Sequence, residues 1–142
     1  MALHPTLSEA NLRRSVKKFF LDGLPGKHVI FDRSFSPPED QNILEWVHIR
    51  TGNMLPRIVS EAVVTIYMFT RQDLEGDRLA ELRDEVMELI YPCHLTLYDE
   101  SWNNVGGIIF EVDNASDHKY TENSEKVEFI TLILQWGGKW SI

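Results

Sequence analysis

The sequence is poor in cysteine: Cys93 is the only one among 142 residues. A disulfide within the chain is therefore excluded, which suits a reducing cytoplasm. Cys93 is followed by His94, but a nucleophile and its base usually come from separate segments, and no nucleophile signature surrounds this pair. Because a small apolar thiol just past a helix most often packs in a core, we expect Cys93 to be buried.

Long apolar runs are also missing. The densest one, "FITLILQW", is much shorter than the roughly 20 residues that a spanning helix needs. The N-terminal stretch "MALHPTLSEANLRRS" lacks the apolar core of a signal peptide. We therefore predict a protein without a membrane span that is made in the cytoplasm.

No spacing in the sequence is typical of a catalytic or metal centre. Apart from the neighbours Cys93 and His94, which cannot easily bind one ion together, no histidine pairs with another His or Cys at zinc-like spacing. The stretch "DNASDHKYTENS" begins like a calcium loop, but His118 replaces the required glycine and Ser124 replaces the bidentate glutamate. We predict no catalytic, cofactor-binding or metal-binding residue, and a protein that is not an enzyme.

Positive charge is scarce outside the N-terminal quarter. The net charge is −8, yet residues 1–33 contain six basic and three acidic residues, which leaves eight basic and nineteen acidic residues for the remainder. An acidic bulk argues against tight general binding of nucleic acid. The basic cluster "RRSVKK" could bind phosphate, although an amphipathic helix usually carries such charges on its solvated side.

Two amphipathic helices are predicted from apolar residues at helical spacing. Thr6 followed by Glu9 fits a capping box before the first helix, which should stop near "DGLPG". Asp73 or Asp77 should start the second helix, and Pro92 should end it. The apolar residues that define the two helices are Leu12, Val16, Phe19 and Phe20, and then Leu79, Leu82, Val86, Leu89 and Ile90.

The remaining apolar segments are predicted to be strands: "KHVIFD", "ILEWVHIR", "IVSEAVVTIYMFTR", "HLTLYD", "GIIFEVDN" and "EKVEFITLILQW". Strands that follow one another through polar connections favour antiparallel pairing. We predict an α+β fold in a single domain, residues 1–142, with a mainly antiparallel sheet and both helices on one face. A flexible tail over residues 137–142 should follow the last strand.

The strand within "SEAVVTIYMFTRQD" is apolar on both faces. Ala62, Val64, Ile66 and Met68 point one way, and Val63, Tyr67 and Phe69 point the other. Two helices cover only one face of a sheet, and a large apolar patch on the other marks a protein–protein interface unless the sheet curls over it. The sequence therefore predicts an obligate oligomer.

The order of these features resembles the tail terminator, or tail completion, proteins of long-tailed bacteriophages of the lambda type. The resemblance covers residues 6 to 136: a charged helix ending in "FFLDGLPG", the strand "VIFD", a long hairpin returning through "AVVTIYMFTR", a helix after "QDLEGDRLAEL" closed by "IYP", and a last strand "VEFITLILQW". The Pro-rich "SPPEDQ" insertion and the "GGKWSI" tail depart from the family pattern.

The resemblance implies a structural protein of the virion tail or neck. It implies a homo-oligomeric ring, typically a hexamer, that caps the tail tube protein, ends tube polymerisation and presents a surface to the head connector or stopper protein. Viral DNA would pass through the lumen without specific binding, and an acidic lumen would suit that passage. No cofactor is implied.

Six residues are our candidates for protein interfaces: Met54, Leu55 and Arg57 at the tip of the long hairpin, Tyr67 and Phe69 on its second strand, and Trp140 in the tail. Trp140 lies beyond two glycines, and tryptophan is enriched among interface anchors. The alternatives are that the tip folds back on its own domain and that Trp140 docks on its own subunit.

Two other functions fit the same features. Another phage neck protein, a head–tail stopper or joining protein, would share the ring and differ in its partner. A small homodimeric ligand-binding or regulatory α+β domain would bury the apolar face between two subunits.

Overall fold

The first helix begins later than the capping box predicted. In the computed structural model, which describes residues 3–32, 37–56, 59–115, 119–120 and 125–137, Pro5–Leu7 form a short 3-10 turn, and α1 is Glu9–Gly23. Ser8 is the N-cap, and its hydroxyl accepts a hydrogen bond from the amide of Asn11 at 3.2 Å. The prediction of Thr6 as the cap was wrong because the turn that starts at Pro5 occupies Thr6.

The second helix, α2, is Asp77–Ile90, and both predicted acidic residues contribute to its start. Asp77 is its first residue. Asp73 lies outside the helix, and its carboxylate accepts hydrogen bonds from the amides of Arg78 and Leu79 at 3.2 and 2.9 Å. These bonds satisfy two of the amides that the first turn of a helix leaves without an intrahelical partner. Pro92 follows the helix, as predicted.

The described residues form one sheet with the order β1-β2-β3-β7-β5-β4, in which β6 continues the row of β5 along β7. All pairs are antiparallel except β1 and β2, which run parallel. The α+β prediction with a mainly antiparallel sheet is confirmed. The strands are β1 (His28–Phe31), β2 (Glu45–Thr51), β3 (Val59–Thr70), β4 (His94–Tyr98), β5 (Asn104–Ala115), β6 (Lys119–Tyr120) and β7 (Lys126–Gly137).

Both helices pack on the same face of the sheet, as predicted. The predicted inward residues of β3 and the apolar stripes of α1 and α2 join one buried cluster with β7 and β5. The helix α1 reaches both edge strands: Ser15 accepts a hydrogen bond from the amide of Tyr98 at the end of β4, and Arg13 pairs with Asp32 just after β1 at 3.0 Å. The sheet therefore curls around its helices.

Cys93 is exposed, so the prediction that it packs in the core was wrong. It lies in the turn between α2 and β4 with φ +57°, where its carbonyl accepts a hydrogen bond from the amide of Phe110 at 3.0 Å. The chain reverses direction here, and the backbone rather than the thiol makes the contact. Across the described residues, no helix is long and apolar enough to cross a membrane.

Replacing Asp73 with alanine should lower the free energy of unfolding by about 1 kcal/mol, because the first turn of α2 would lose its cap. Burial raises the pKa of Asp73, but the hydrogen bonds from Leu79, Thr70 and Arg78 outweigh burial and lower the pKa overall. The contribution of Asp73 is therefore full above the ordinary aspartate pKa and is lost as the pH falls through the lowered value. Urea unfolding at pH 7 measures the effect.

Glu75→Ala is the matched control for Asp73, since Glu75 is an exposed carboxylate in the same loop. An equal loss of stability in both variants would show that Asp73 does not cap α2.

Candidate functional site on the helix-free sheet face

The face of the sheet opposite α1 and α2, here called the helix-free face, is built from residues that lie side by side in the strand register. Three apolar or aromatic rows cross it. Trp46 lies opposite Phe69, which pairs with Val127; His48 lies opposite Tyr67, which pairs with Phe129; and Val63 pairs with Ile133. The alternation of β3 therefore places Val63, Tyr67 and Phe69 on this face, as the sequence predicted.

One end of the helix-free face is covered by the Pro-rich connection between β1 and β2. Arg71, at the end of β3, donates hydrogen bonds to the carbonyls of Leu44 and Pro38 and to the side chain of Gln41. Its guanidinium lies 4.7 Å from the ring centroid of Trp46. The segment that looked like an insertion in the sequence therefore supplies part of the cover that the two helices cannot.

Phe69 is buried at this covered end. Its ring stacks on Trp46 with centroids 5.3 Å apart, and it is only 5% exposed. The structure therefore leaves Phe69 almost no surface for another subunit. Its ring packs beside that of Tyr67, with ring centroids 6.5 Å apart.

Tyr67 lies half-buried in the middle of the helix-free face. Its ring centroid is 5.9 Å from that of Phe129 and 6.1 Å from that of His48. Aromatic pairs at such distances stabilise a sheet surface beyond the area that they bury. Tyr67 is therefore held in place by its aromatic neighbours and remains partly accessible to solvent.

The other end of the helix-free face is exposed within the part of the chain that the structure describes. Val63 is 45% exposed, and Ile109 of β5, which pairs with Gln135 beside the Val63–Ile133 row, is 61% exposed. Neither residue was among the sequence candidates, although Val63 had been assigned to this face. The alternation of the apolar segment "GIIF" was the signal that pointed to Ile109.

His48 is 2% exposed on this face. Burial lowers the pKa of His48, the nearby carboxylate of Asp32 raises it, and the charge of Arg50 lowers it, with a net pKa below 6.5. The neutral imidazole is therefore the form that the folded chain prefers.

We expect the free energy of unfolding to fall as the pH drops below 6.5, because the unfolded chain then binds a proton that folded His48 resists. The stabilisation is full above pH 6.5 and is lost progressively toward the lowered pKa. His48→Phe should remove this part of the pH dependence, as measured by urea unfolding between pH 7.5 and pH 5. Identical pH slopes for both proteins would contradict the assignment to His48.

The hairpin tip folds back on the subunit. Met54 packs against the core cluster, and its amide donates a hydrogen bond to the carboxylate of Glu9 at 3.1 Å. Leu55 pairs with Glu61 through two backbone hydrogen bonds and is 49% exposed. Of the two residues, Leu55 offers the accessible surface. Arg57 and Trp140 lie outside the described residues.

Leu55→Asp should leave the fold intact, because the side chain is half exposed in the subunit. On the tail-terminator function that the sequence resemblance implies, it should also reduce capping of tail tubes, since it would bring a carboxylate into an apolar contact. Met54→Asp should instead lower the melting temperature, since Met54 packs on the core. Capping is measured by electron microscopy of tubes mixed with each variant. Normal capping by Leu55→Asp would exclude the tip from the interface.

A separate cleft of about 610 Å³ lies near the start of β2. Lys27 sits there between Glu45 and Glu85, at 3.0 and 3.2 Å, and Arg78 donates a hydrogen bond to the carbonyl of Arg71. The cationic groups of the cleft are thus occupied by the protein's own acceptors. Among the described residues, no group of three His, Cys, Asp or Glu side chains could hold a metal ion.

No protein-family model matches the chain. No curated protein matches it either. The fold itself recurs, since 25 chains of solved structures match. One of them superimposes with a TM-score of 0.65 over 95% of this chain and 99% of the other, at 13% identity, and its name describes no activity. This similarity supports the fold alone.

Proposed function

We propose that the protein is a virion structural protein that caps the tail tube of a long-tailed phage as a homo-oligomeric ring, expected to be a hexamer. The open end of the helix-free face supports this proposal. The two helices lie on the opposite face, and the Pro-rich connection covers only the end at Trp46 and Phe69. Val63 and Ile109 stay exposed at 45% and 61%, which fits a surface that is covered on assembly.

In this function the ring ends tube growth and presents a joining surface to the head connector or stopper protein. The excess of acidic residues after position 33 suits a lumen through which DNA passes, because carboxylates repel phosphate. In this function the protein acts by binding other proteins and not by catalysis, in keeping with the resemblance of its sequence to tail terminators.

The test is the native mass together with tube capping. Light scattering and native mass spectrometry should give a multiple of 16.5 kDa at micromolar concentration. Electron microscopy of the protein mixed with purified tail tubes should show added density at one tube end. A monomer that leaves tubes unchanged would refute the proposal, and density on filled heads instead of tubes would favour a stopper or joining protein.

A homodimeric small-molecule-binding domain is the second candidate, favoured by the 610 Å³ cleft near the start of β2. A dimer mass with a retained small molecule in native mass spectrometry would support it against the ring.

A further inference from the structure

A groove runs between the solvent side of α1 and the turn that joins β4 to β5. Its volume is about 450 Å³. Leu21 and Trp102 supply its apolar surface, and each is 53% exposed. It combines these apolar groups with three cationic side chains and one carboxylate, and its lining residues are Arg14, Lys17, Lys18, Leu21, Asp22 and Trp102.

Trp102 is held in place by its turn. It has φ +62°, a left-handed conformation that bulky residues seldom adopt. Its amide donates to the carbonyl of Asp99 at 3.0 Å, and the Asp99 carboxylate accepts from the amides of Ser101 and Asn103, each at 2.9 Å. The indole also packs edge-on against Tyr98, with centroids 5.9 Å apart. The turn thus presents an ordered aromatic group on the surface.

The charges of the groove are not balanced within the subunit. Lys18 pairs with Asp22 at 2.7 Å and lies 5.6 Å from the Trp102 ring centroid. Arg14 donates a hydrogen bond to the neutral amide oxygen of Asn11. Within the described residues, neither Arg14 nor Lys17 forms an ion pair. Arg14 also lies close enough to the Asp99 carboxylate to help lower its pKa, so the groove keeps a partial excess of positive charge beside the exposed indole.

The solvent side of α2 carries the opposite charge. Four carboxylates follow one line along the helix at intervals of four, three and four residues, which places them on one side. All are exposed, and none forms an ion pair among the described residues. This acidic stripe is Asp77, Glu81, Asp84 and Glu88.

We propose that the groove of one subunit receives the acidic stripe of a second copy of this chain. The inference rests on the proposed ring and assigns the contact between its neighbours. In this contact each subunit offers its groove to one neighbour and its stripe to another, and such head-to-tail contacts form a ring when the rotation between neighbours closes. Arg14 and Lys17 pair with the carboxylates, while Trp102 anchors the centre of the contact.

Charge reversal on each side tests this contact. In one variant Arg14→Glu and Lys17→Glu reverse two charges of the groove, and in another Glu81→Lys and Asp84→Lys reverse the two central charges of the stripe. Each variant alone should stay at 16.5 kDa in native mass spectrometry, since like charges then meet at the centre of every contact. An equimolar mixture should assemble, because opposite charges again meet at the centre of every contact when the two variants alternate.

The equimolar mixture of the two variants also tests the number of subunits in the ring. Strict alternation closes only rings with equal numbers of each variant, so native mass spectrometry should show even-numbered particles with a one-to-one composition. Circular dichroism and thermal melting establish that each variant is folded. Glu39→Lys with Asp40→Lys is the matched control for the stripe variant. It makes the same change in net charge in the exposed Pro-rich connection and should assemble like the wild type.

Rings formed by either charge-reversed variant alone would refute the contact between groove and stripe, but not the proposed ring. A mixture of folded variants that stays monomeric would overturn it as well. A wild-type protein that forms no oligomer would instead refute the proposed function on which the inference rests. The two failures are therefore distinguishable in one set of mass measurements.

Discussion

Replacing Val63 and Ile109 with aspartate should reduce capping of tail tubes to background while the subunit remains folded. Both side chains are exposed in the subunit, at 45% and 61%, so the new carboxylates stay hydrated there. Once a neighbour or the tube covers the helix-free face, the same carboxylates lose their water without gaining a partner. The effective penalty is several kcal/mol per buried charge, which is enough to abolish a contact of ordinary affinity.

Two measurements are needed for this variant. Electron microscopy counts capped tube ends, and native mass spectrometry reports whether a ring still forms. Loss of both capping and ring formation would indicate that the helix-free face lies between subunits. A ring that forms but no longer caps tubes would indicate that this face contacts the tube. Capping at the wild-type level by a folded variant would contradict the role of the face.

Leu74→Asp is the control for the effect of a single added carboxylate in that experiment. Leu74 is 94% exposed in the loop before α2, so it tests the effect of an added surface carboxylate away from the helix-free face. We expect it to cap tubes normally. Equal loss of capping in the control would mean that added negative charge, and not the position of the charge, is responsible.

The parts of this fold that the sequence predicts well are those set by periodicity. The alternation of β3 assigns Val64 to the core and Val63 to the other face, and the helical spacing of α2 gives its buried side. Each of these patterns is a local consequence of backbone geometry, with a period of two for strands and 3.6 for helices. The burial of these residues follows that geometry closely.

The parts that sequence reasoning missed depend on contacts between distant segments. The parallel pairing of β1 with β2 is not encoded in the apolar pattern of "KHVIFD". The cover over Trp46 comes from Arg71 and the Pro-rich connection, whose composition indicated only a loop. Trp102 lies in a stretch that reads as a turn, and its groove exists only because the turn meets α1.

Two sequence candidates also show how exposure separates residues with the same pattern. Tyr67 and Phe69 are two positions apart on one strand face, yet Phe69 is 5% exposed and Tyr67 is half-buried. Phe69 stacks on Trp46, and the guanidinium of Arg71 lies over Trp46 and is bonded to the connection before β2. A one-dimensional pattern assigns a face to each residue but does not show which part of that face another segment covers.

Replacing Trp136 with alanine should lower the free energy of unfolding by about 3–5 kcal/mol, the usual cost of removing a large buried aromatic side chain. Trp136 is 4% exposed in β7 and belongs to the buried core cluster. Its indole nitrogen also donates a hydrogen bond to the carbonyl of Thr6 at 2.7 Å. That bond ties the N-terminal turn, which places Ser8 at the start of α1, to the last strand of the sheet.

Trp136→Phe separates the two contributions. Phenylalanine keeps most of the buried ring but cannot donate to Thr6, so the carbonyl of Thr6 would lose this donor at a cost of about 1–3 kcal/mol. Trp102→Ala is the matched control: it removes the same side chain from an exposed site, and its effect on unfolding should stay below about 1 kcal/mol. Urea unfolding at a concentration where the subunit is monomeric measures all three variants. If Trp136→Phe were as stable as the wild type, the bond to Thr6 would not contribute to folding, and the position of α1 would depend on core packing alone.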